Sequence, residues 1–171
     1  MTYLAITVLG RDRPGIIAQA AEALAGCGMN LEDSSMTLLR GHFAMTLICA
    51  GAASVGEIET ALAPLADGSL TVDVRDLPHE QVHRPTTEST HLMTVHGADR
   101  LGIVARLAGV IAAAGGNITD LTTRLSGDLY VLLAEIYLPS PTTETLERDL
   151  ATAARELGVG VTLRPVERDE L

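Results

Sequence analysis

The sequence predicts an α+β chain made of two ferredoxin-like βαββαβ modules, each a four-stranded antiparallel sheet with two helices on one face. Three observations predict it. The chain repeats itself at a fixed spacing. Each repeat passes through strand-like and helix-like segments in the same order. The length, 171 residues, suits two small modules.

The repeat comes first because it sets the unit of description. Residues 7–18 read TVLGRDRPGIIA and residues 94–105 read TVHGADRLGIVA. Gly15 and Gly102 fix the offset at 87 residues. The same offset pairs Gly28 with Gly115, Asn30 with Asn117, Asp33 with Asp120 and Leu38 with Leu125, without a gap.

In the first copy, residues 3–9 (YLAITVL) form a short β-rich run. The segment Gly10 to Gly15 breaks it, and Pro14 suits the first position of a helix, where its missing N–H costs nothing. Ile16, Ile17, Ala20, Ala21 and Leu24 recur at helical spacing, and Gly26 and Gly28 end that helix. Residues 29–39 and 42–50 are extended, with a turn at Arg40-Gly41. Ser54 caps a second helix carrying Ile58, Ala61 and Leu62, which Pro64 cuts short. Leu70, Val72 and Val74 alternate as the last strand.

The second copy repeats this plan. Ile103, Val104, Leu107, Ala108 and Ile111 reproduce the first helical stripe, and Ser126-Gly127-Asp128 makes the hairpin turn. Ser140-Pro141 is an N-cap followed by proline, opening a helix with Leu146, Leu150, Ala153, Ala154 and Leu157 on one face. Val159, Val161 and Leu163 close the copy as a strand. Residues 77–90 are polar, carry two prolines and lack an apolar period, so they read as a linker between modules at 1–76 and 91–171.

Composition excludes several functions. All 12 basic residues are Arg, so the Lys of a pyridoxal-phosphate enzyme or a Walker loop is missing. A net charge of −10 argues against direct nucleic-acid binding, which draws on a basic patch, and points to small molecules or proteins as partners. No apolar run approaches the roughly 18 residues of a membrane span, and the N-terminus lacks the plan of a signal peptide. Cys27 and Cys49 lie in apolar surroundings without CxxC spacing and read as buried hydrophobes of a cytoplasmic protein.

The strand-to-helix turn at Gly10–Ile16 is the candidate binding element. The first amides of a helix lack intrahelical partners and, with the dipole, favour a carboxylate. Gly15 and Gly102 let a ligand approach the backbone. Asn30 and Asn117 have two readings: a donor and acceptor for an amino-acid head group, or turn residues ending the helix.

The motifs VLGRDRPGIIA with GMNLED, and VHGADRLGIVA with GGNITD, resemble a tandem pair of ACT domains over nearly the whole chain. The resemblance implies a non-catalytic module, without cofactor, that binds a free amino acid, often glycine or serine, at a domain or subunit interface. By position, it assigns the ligand loop to Gly10, Asp12, Pro14, Gly15 and Ile16, with Asn30, Leu31 and Asp33 opposite. In the second copy it assigns Asp99, Gly102, Ile103, Asn117, Ile118 and Asp120. Leu101 in place of proline, Gly116 in place of Met29 and His96 in place of Leu9 give the second copy a supporting role. The expected partners are a small amino acid, a transcription factor or metabolic enzyme, and a second chain joined through sheets or helices. No membrane and no nucleic acid is expected as a direct partner.

Three other classes were weighed. An enzyme would need a nucleophile with a base, and no G-x-S-x-G elbow is present. A metal site at His79-x-x-x-His83 would need a helix that the flanking prolines discourage. RNA recognition shares the strand order, and Arg40-Gly41-His42-Phe43-Ala44 imitates its third-strand signature, but only Phe43 could stack a base there. A ligand-free dimerisation module, or a regulatory subunit of an amino-acid enzyme, stays open.

Overall fold

The computed structural model describes residues 1–78, 90–138 and 143–166. The chain divides into two compact units, Met1–Arg84 and Pro85–Leu171. The first contains β1 (Thr2–Arg11), α1 (Ile16–Gly26), β2 (Asn30–Leu39), β3 (His42–Gly51), α2 (Val55–Leu62) and β4 (Leu70–Leu77). The second contains β5 (Thr90–Ala98), α3 (Ile103–Ala113), β6 (Asn117–Ser126), β7 (Leu129–Tyr137), α4 (Thr143–Leu157) and β8 (Val159–Pro165). The sheets run β2-β3-β1-β4 and β6-β7-β5-β8, antiparallel throughout. These are the two four-stranded α+β modules the sequence predicts.

Each core lies on one face of its sheet. Along β1, Leu4, Ile6 and Val8 are buried, and the alternate residues Thr7 and Leu9 are exposed. Phe43, Met45, Leu47 and Cys49 of β3 share the buried face with Ile16, Ala20 and Leu24 of α1 and Ile58 and Leu62 of α2. Period-two strands and period-3.6 helices meet there, as binary patterning requires. Burial pushes the Cys49 thiol upward from its ordinary pKa, as suits a small hydrophobe. The expected helical stripe is narrower than its spacing suggested. Ile17 is 52% exposed and Ala21 is also exposed, because only the line Ile16–Ala20–Leu24 faces the sheet.

Local signals explain the helix ends. Ser54 forms a capping box with Glu57, and Pro64 sits in a single 3-10 turn (Ala63–Leu65) after α2. At the end of α1, the Met29 amide donates to the Leu24 carbonyl at 3.0 Å and the Gly28 amide to Ala25 at 3.0 Å, with Gly28 at φ 70°. This is a Schellman motif. Asn30 therefore lies in the strand, and Gly28 supplies the left-handed turn residue. Pro14 does not begin α1. Gly15 is the N-cap at φ 91° and Ile16 opens the helix, so the chain enters through a conformation that favours glycine. The Ser140-Pro141 cap lies outside the described residues.

The two copies fill one core position in opposite ways. In the first, Met29 is buried and its sulfur lies where a Cβ on Gly51 would stand. In the second, Gly116 takes the place of Met29, and Leu138 takes the place of Gly51 and fills the space from the other side. A Cβ on Gly116 would come within 2.9 Å of Leu138. The substitution of Gly116 for Met29 is thus a packing exchange. Gly116→Met should overpack the second unit and cost about 1–3 kcal/mol in chemical denaturation. Adding Leu138→Gly should recover part of that loss through positive coupling. Strict additivity of the two substitutions would refute the exchange.

Candidate functional site

Three loops converge at one end of the first sheet. The Arg11 amide donates to the Ser69 carbonyl at 3.0 Å, and the Asp12 amide donates to the Gly41 carbonyl at 3.1 Å. The β1–α1 turn is thereby stitched to the β2–β3 hairpin and to the turn before β4. Arg13 adds a side-chain clamp, with its Nε 3.5 Å from an Asp67 carboxylate oxygen and a terminal nitrogen donating to Gln19 at 3.2 Å. The Ser69 hydroxyl and amide donate to Asp67 and hold its carboxyl below the ordinary aspartate range, with Arg13 adding to the effect.

Within this frame the predicted loop residues have distinct places. Gly10 is bonded between Phe43 and Leu70, and a Cβ there would drive into the Ser69 carbonyl, so close packing explains this glycine. Asp12 and Pro14 are exposed. Gly15 faces open space, with only Gln19 within 4 Å of a hypothetical Cβ. The Gln19 amide donates to the Gly15 carbonyl at 2.9 Å, leaving the amides of residues 16–18 at the helix start. The Ile16 side chain is a core residue, so only its backbone is available to the loop.

The second copy repeats the geometry. Gly102 is the N-cap at φ 91°, the Arg106 amide donates to its carbonyl at 2.9 Å, and Ile103 is core. Asp99 is exposed, and Leu101, standing for Pro14, is fully exposed beside the helix start. Arg100 lies against Gly158, at the turn before β8. His96 lies over Gly160 on the open face of the sheet.

The asparagine segments are elsewhere. Asn30 begins β2 and pairs with Ala50, whose neighbour on β1 is Tyr3. Gly10 and Tyr3 are seven residues apart on one strand, about 23 Å at 3.3 Å per residue. The eleven residues of α1 likewise separate Gly15 from Asn30 by about 16 Å. Asn117 stands at the same far end of the second unit, opposite Tyr137. No single module brings its loop and its asparagine together.

Both asparagine motifs encode a β-bulge. The register shifts between Leu31 and Asp33 in β2, and between Ile118 and Asp120 in β6. An extra residue on an edge strand re-aims the side chains around it. Asn30, Leu31 and Asp33 are exposed, as are Asn117 and Asp120, and Ile118 packs partly on its core. The repeated N-[LI]-x-D spacing carries that signal in the sequence.

Phe43 is 2% exposed and belongs to the helix-covered core, so it offers no base-stacking surface. Among the described residues no group of three or more His, Cys, Asp or Glu could hold a metal, and His79 and His83 lie outside them. Among the described residues no helix is long and apolar enough to cross a membrane.

Comparison with known proteins agrees with the repeat. The ACT domain family model matches residues 2–75 and 89–164. The glycine cleavage system transcriptional repressor of Escherichia coli strain K12 is 28% identical over 122 residues, covering 71% of this chain and 64% of the repressor. The chain therefore aligns with less than two thirds of that relative. A UPF0237 protein of Methanopyrus kandleri is 40% identical over 87 residues, covering 49% of this chain and 94% of that protein. A crystal structure of an unknown protein from Galdieria sulphuraria has a TM-score of 0.83 at 28% identity, covering 97% of this chain and 99% of the other.

Asp67 makes the loop clamp titratable. Its pKa is depressed, so the clamp is intact above the ordinary aspartate range and is lost as pH falls through the folded value. In an NMR titration the Asp67 carboxyl should titrate below the ordinary aspartate range, and Ser69→Ala should move it upward. An ordinary value in the unmodified protein would disprove the Ser69–Asp67 hydrogen bonds.

Proposed function

The chain belongs to the ACT domain family, and from that premise we propose that it is a non-catalytic cytoplasmic sensor of a small amino acid of the glycine or serine class, which regulates a partner protein. Its modules are residues 1–76 and 91–171, joined by 77–90. The partner is a transcriptional regulator. The relationship to the glycine cleavage repressor supports this choice, and the −10 charge supports action on DNA only through another protein. A metabolic enzyme holding the chain as its regulatory subunit is the alternative.

One observation carries the reading: both copies enter their first helix through a glycine at φ 91° that faces open space. A ligand carboxylate docks on the amides that follow, where the helix dipole favours it. The loop residues Gly10, Asp12, Pro14, Gly15 and the backbone of Ile16 form one half of the site. Asn30, Leu31 and Asp33 form the other, offered by an ACT module of a second chain, since one module holds these halves about 16–23 Å apart. Asp99, Gly102, Ile103, Asn117, Ile118 and Asp120 are the matching set in the second copy. Binding stabilises one arrangement of modules over another by its differential affinity, and that arrangement exposes or masks the partner surface.

The edge strand β2 favours a second reading, a dimerisation module without ligand. All but one of its ten residues are exposed, including Leu31, Met36, Leu38 and Leu39. Such an edge invites pairing with another chain.

A thermal-shift screen of the twenty amino acids separates the two. A ligand at 100 times its Kd should add about 2.7 kcal/mol of stability. Asn30→Ala should remove the shift and leave the unliganded transition in place, because its side chain is exposed. Gly15→Val is a poorer probe, because φ 91° strains a β-branched residue with or without ligand. The sensor reading fails if no amino acid moves the transition, and the site assignment fails if Asn30→Ala binds normally.

A further inference from the structure

The two copies serve as internal controls for each other. They share one fold, so a side chain that differs in character at equivalent positions answers to something other than the fold. On the open face of the first sheet, the central positions are Ala5, Ala44 and Thr46. Their counterparts 87 residues on are Leu92, Val131 and Leu133. Leu92 is 39% exposed and Leu133 is 42% exposed. The first copy has one large apolar side chain there, the half-buried Ile48 opposite Ala5, where the second copy has Glu135. The fold therefore does not require the three that the second copy carries, which serve another purpose. At the hairpin end Leu9 and Leu39 become His96 and Ser126 while His42 becomes the exposed Leu129, so the apolar patch runs along β7 through Leu129, Val131 and Leu133, with Leu92 on β5.

The charges around the patch are arranged for self-association. Leu133 pairs with Thr122 of β6 on one side and Thr94 of β5 on the other. Two residues toward the hairpin along β6 stands Arg124, beside Val131. Two residues the other way stands Asp120, directly beside Glu135. Alternation puts all of these on the open face. Two carboxylates opposed across neighbouring strands repel. The Arg124 guanidinium donates to the Thr123 carbonyl at 2.9 Å, and among the described residues it has no carboxylate partner.

A two-fold axis through Leu133, parallel to the sheet and perpendicular to its strands, would bring two such faces together. It sets β6 antiparallel over its counterpart, so Arg124 of each copy meets Asp120 and Glu135 of the other. Leu133 meets Leu133 on the axis. Four strands about 4.8 Å apart and about eight residues at 3.3 Å give roughly 500 Å² of projected face. Two such faces reach the roughly 1,000 Å² that a specific interface needs. Two-fold pairing through one self-complementary patch is the commonest oligomer geometry.

We propose that the open face of the second sheet, centred on Leu133, is an isologous dimer interface that takes the same face of a second copy of this chain. The proposal refines the homodimer of the functional reading and is tested apart from ligand binding.

Sedimentation velocity of the full chain at micromolar concentration reads it directly. The unmodified protein should be dimeric. Leu133→Asp should give a monomer with unchanged circular dichroism, and Thr46→Asp, its first-copy counterpart, should stay dimeric. Arg124→Glu should weaken dimerisation at least tenfold, and Arg124→Glu with Glu135→Arg should restore it, because the interfacial charges are then exchanged. A monomeric unmodified protein, or a dimer that survives both Leu133→Asp and Arg124→Glu, overturns the interface. A monomer that still shows an amino-acid thermal shift overturns the interface and leaves the sensor reading standing.

Discussion

The alternation of the central strand holds the rest of each module in place. β1 is bonded to β3 on one side and β4 on the other, so its side-chain parity sets the parity of the whole sheet. Leu4, Ile6 and Val8 point under the helices. A slip of one residue would turn all three to the open face. With that parity set, α1 and α2 have one place to dock, and the opposite face stays bare. The same parity ends β1 with Gly10 beneath the Ser69 carbonyl, which leads the chain into the Gly15 turn. The conformation of the candidate loop is thus a consequence of core burial. In the second module the same role falls to β5, where Met93 and Val95 are buried and His91 takes the place of Leu4.

Duplication separates what the fold needs from what it leaves free. The left-handed N-cap glycine, the Schellman helix end and the edge-strand bulge all occur twice at equivalent positions. Each is a backbone device, and each lies at an end of a helix or strand. The exchange of Met29 and Gly51 for Gly116 and Leu138 conserves core volume, so it carries no message about binding. Leu101 is different. It is fully exposed where the first copy has proline, and nothing in the packing accounts for it.

The order of elements was legible because each boundary is written in local chemistry. Arg40-Gly41 adopts two consecutive positive φ angles, 51° and 81°, as a tight hairpin turn requires. Ser54, Pro64 and the glycines at 28 and 115 act where their chemistry says they should. The bulges were hidden because one extra residue on an exposed edge leaves no break in an apolar alternation. Proline and glycine competed for the start of α1, and glycine prevailed because the strand must reverse through φ 91°. The motif resembled a single site because its parts lie within about twenty residues of sequence. The helix between them carries those parts to opposite ends of the module.

Charge gives the two loops unequal pull on an anion. Around the first loop stand Arg11, Arg13 and Arg40, with Asp12 and Asp67 beside them. The acids Glu22, Glu32 and Asp33 lie toward the far end of that module. An acidic chain thus presents a locally cationic tip just where the helix amides open. Around the second loop Arg100 stands with Asp99, and the hairpin turn offers Asp128 where the first has Gly41. Fields from fixed charges raise the local concentration of an opposite ion most where walls of one sign converge. The proposed carboxylate would face a cationic rim at the first loop and a neutral-to-acidic rim at the second. The equal backbones of the two copies therefore carry unequal charge at their rims, and the asymmetry resides in side chains that neither core constrains.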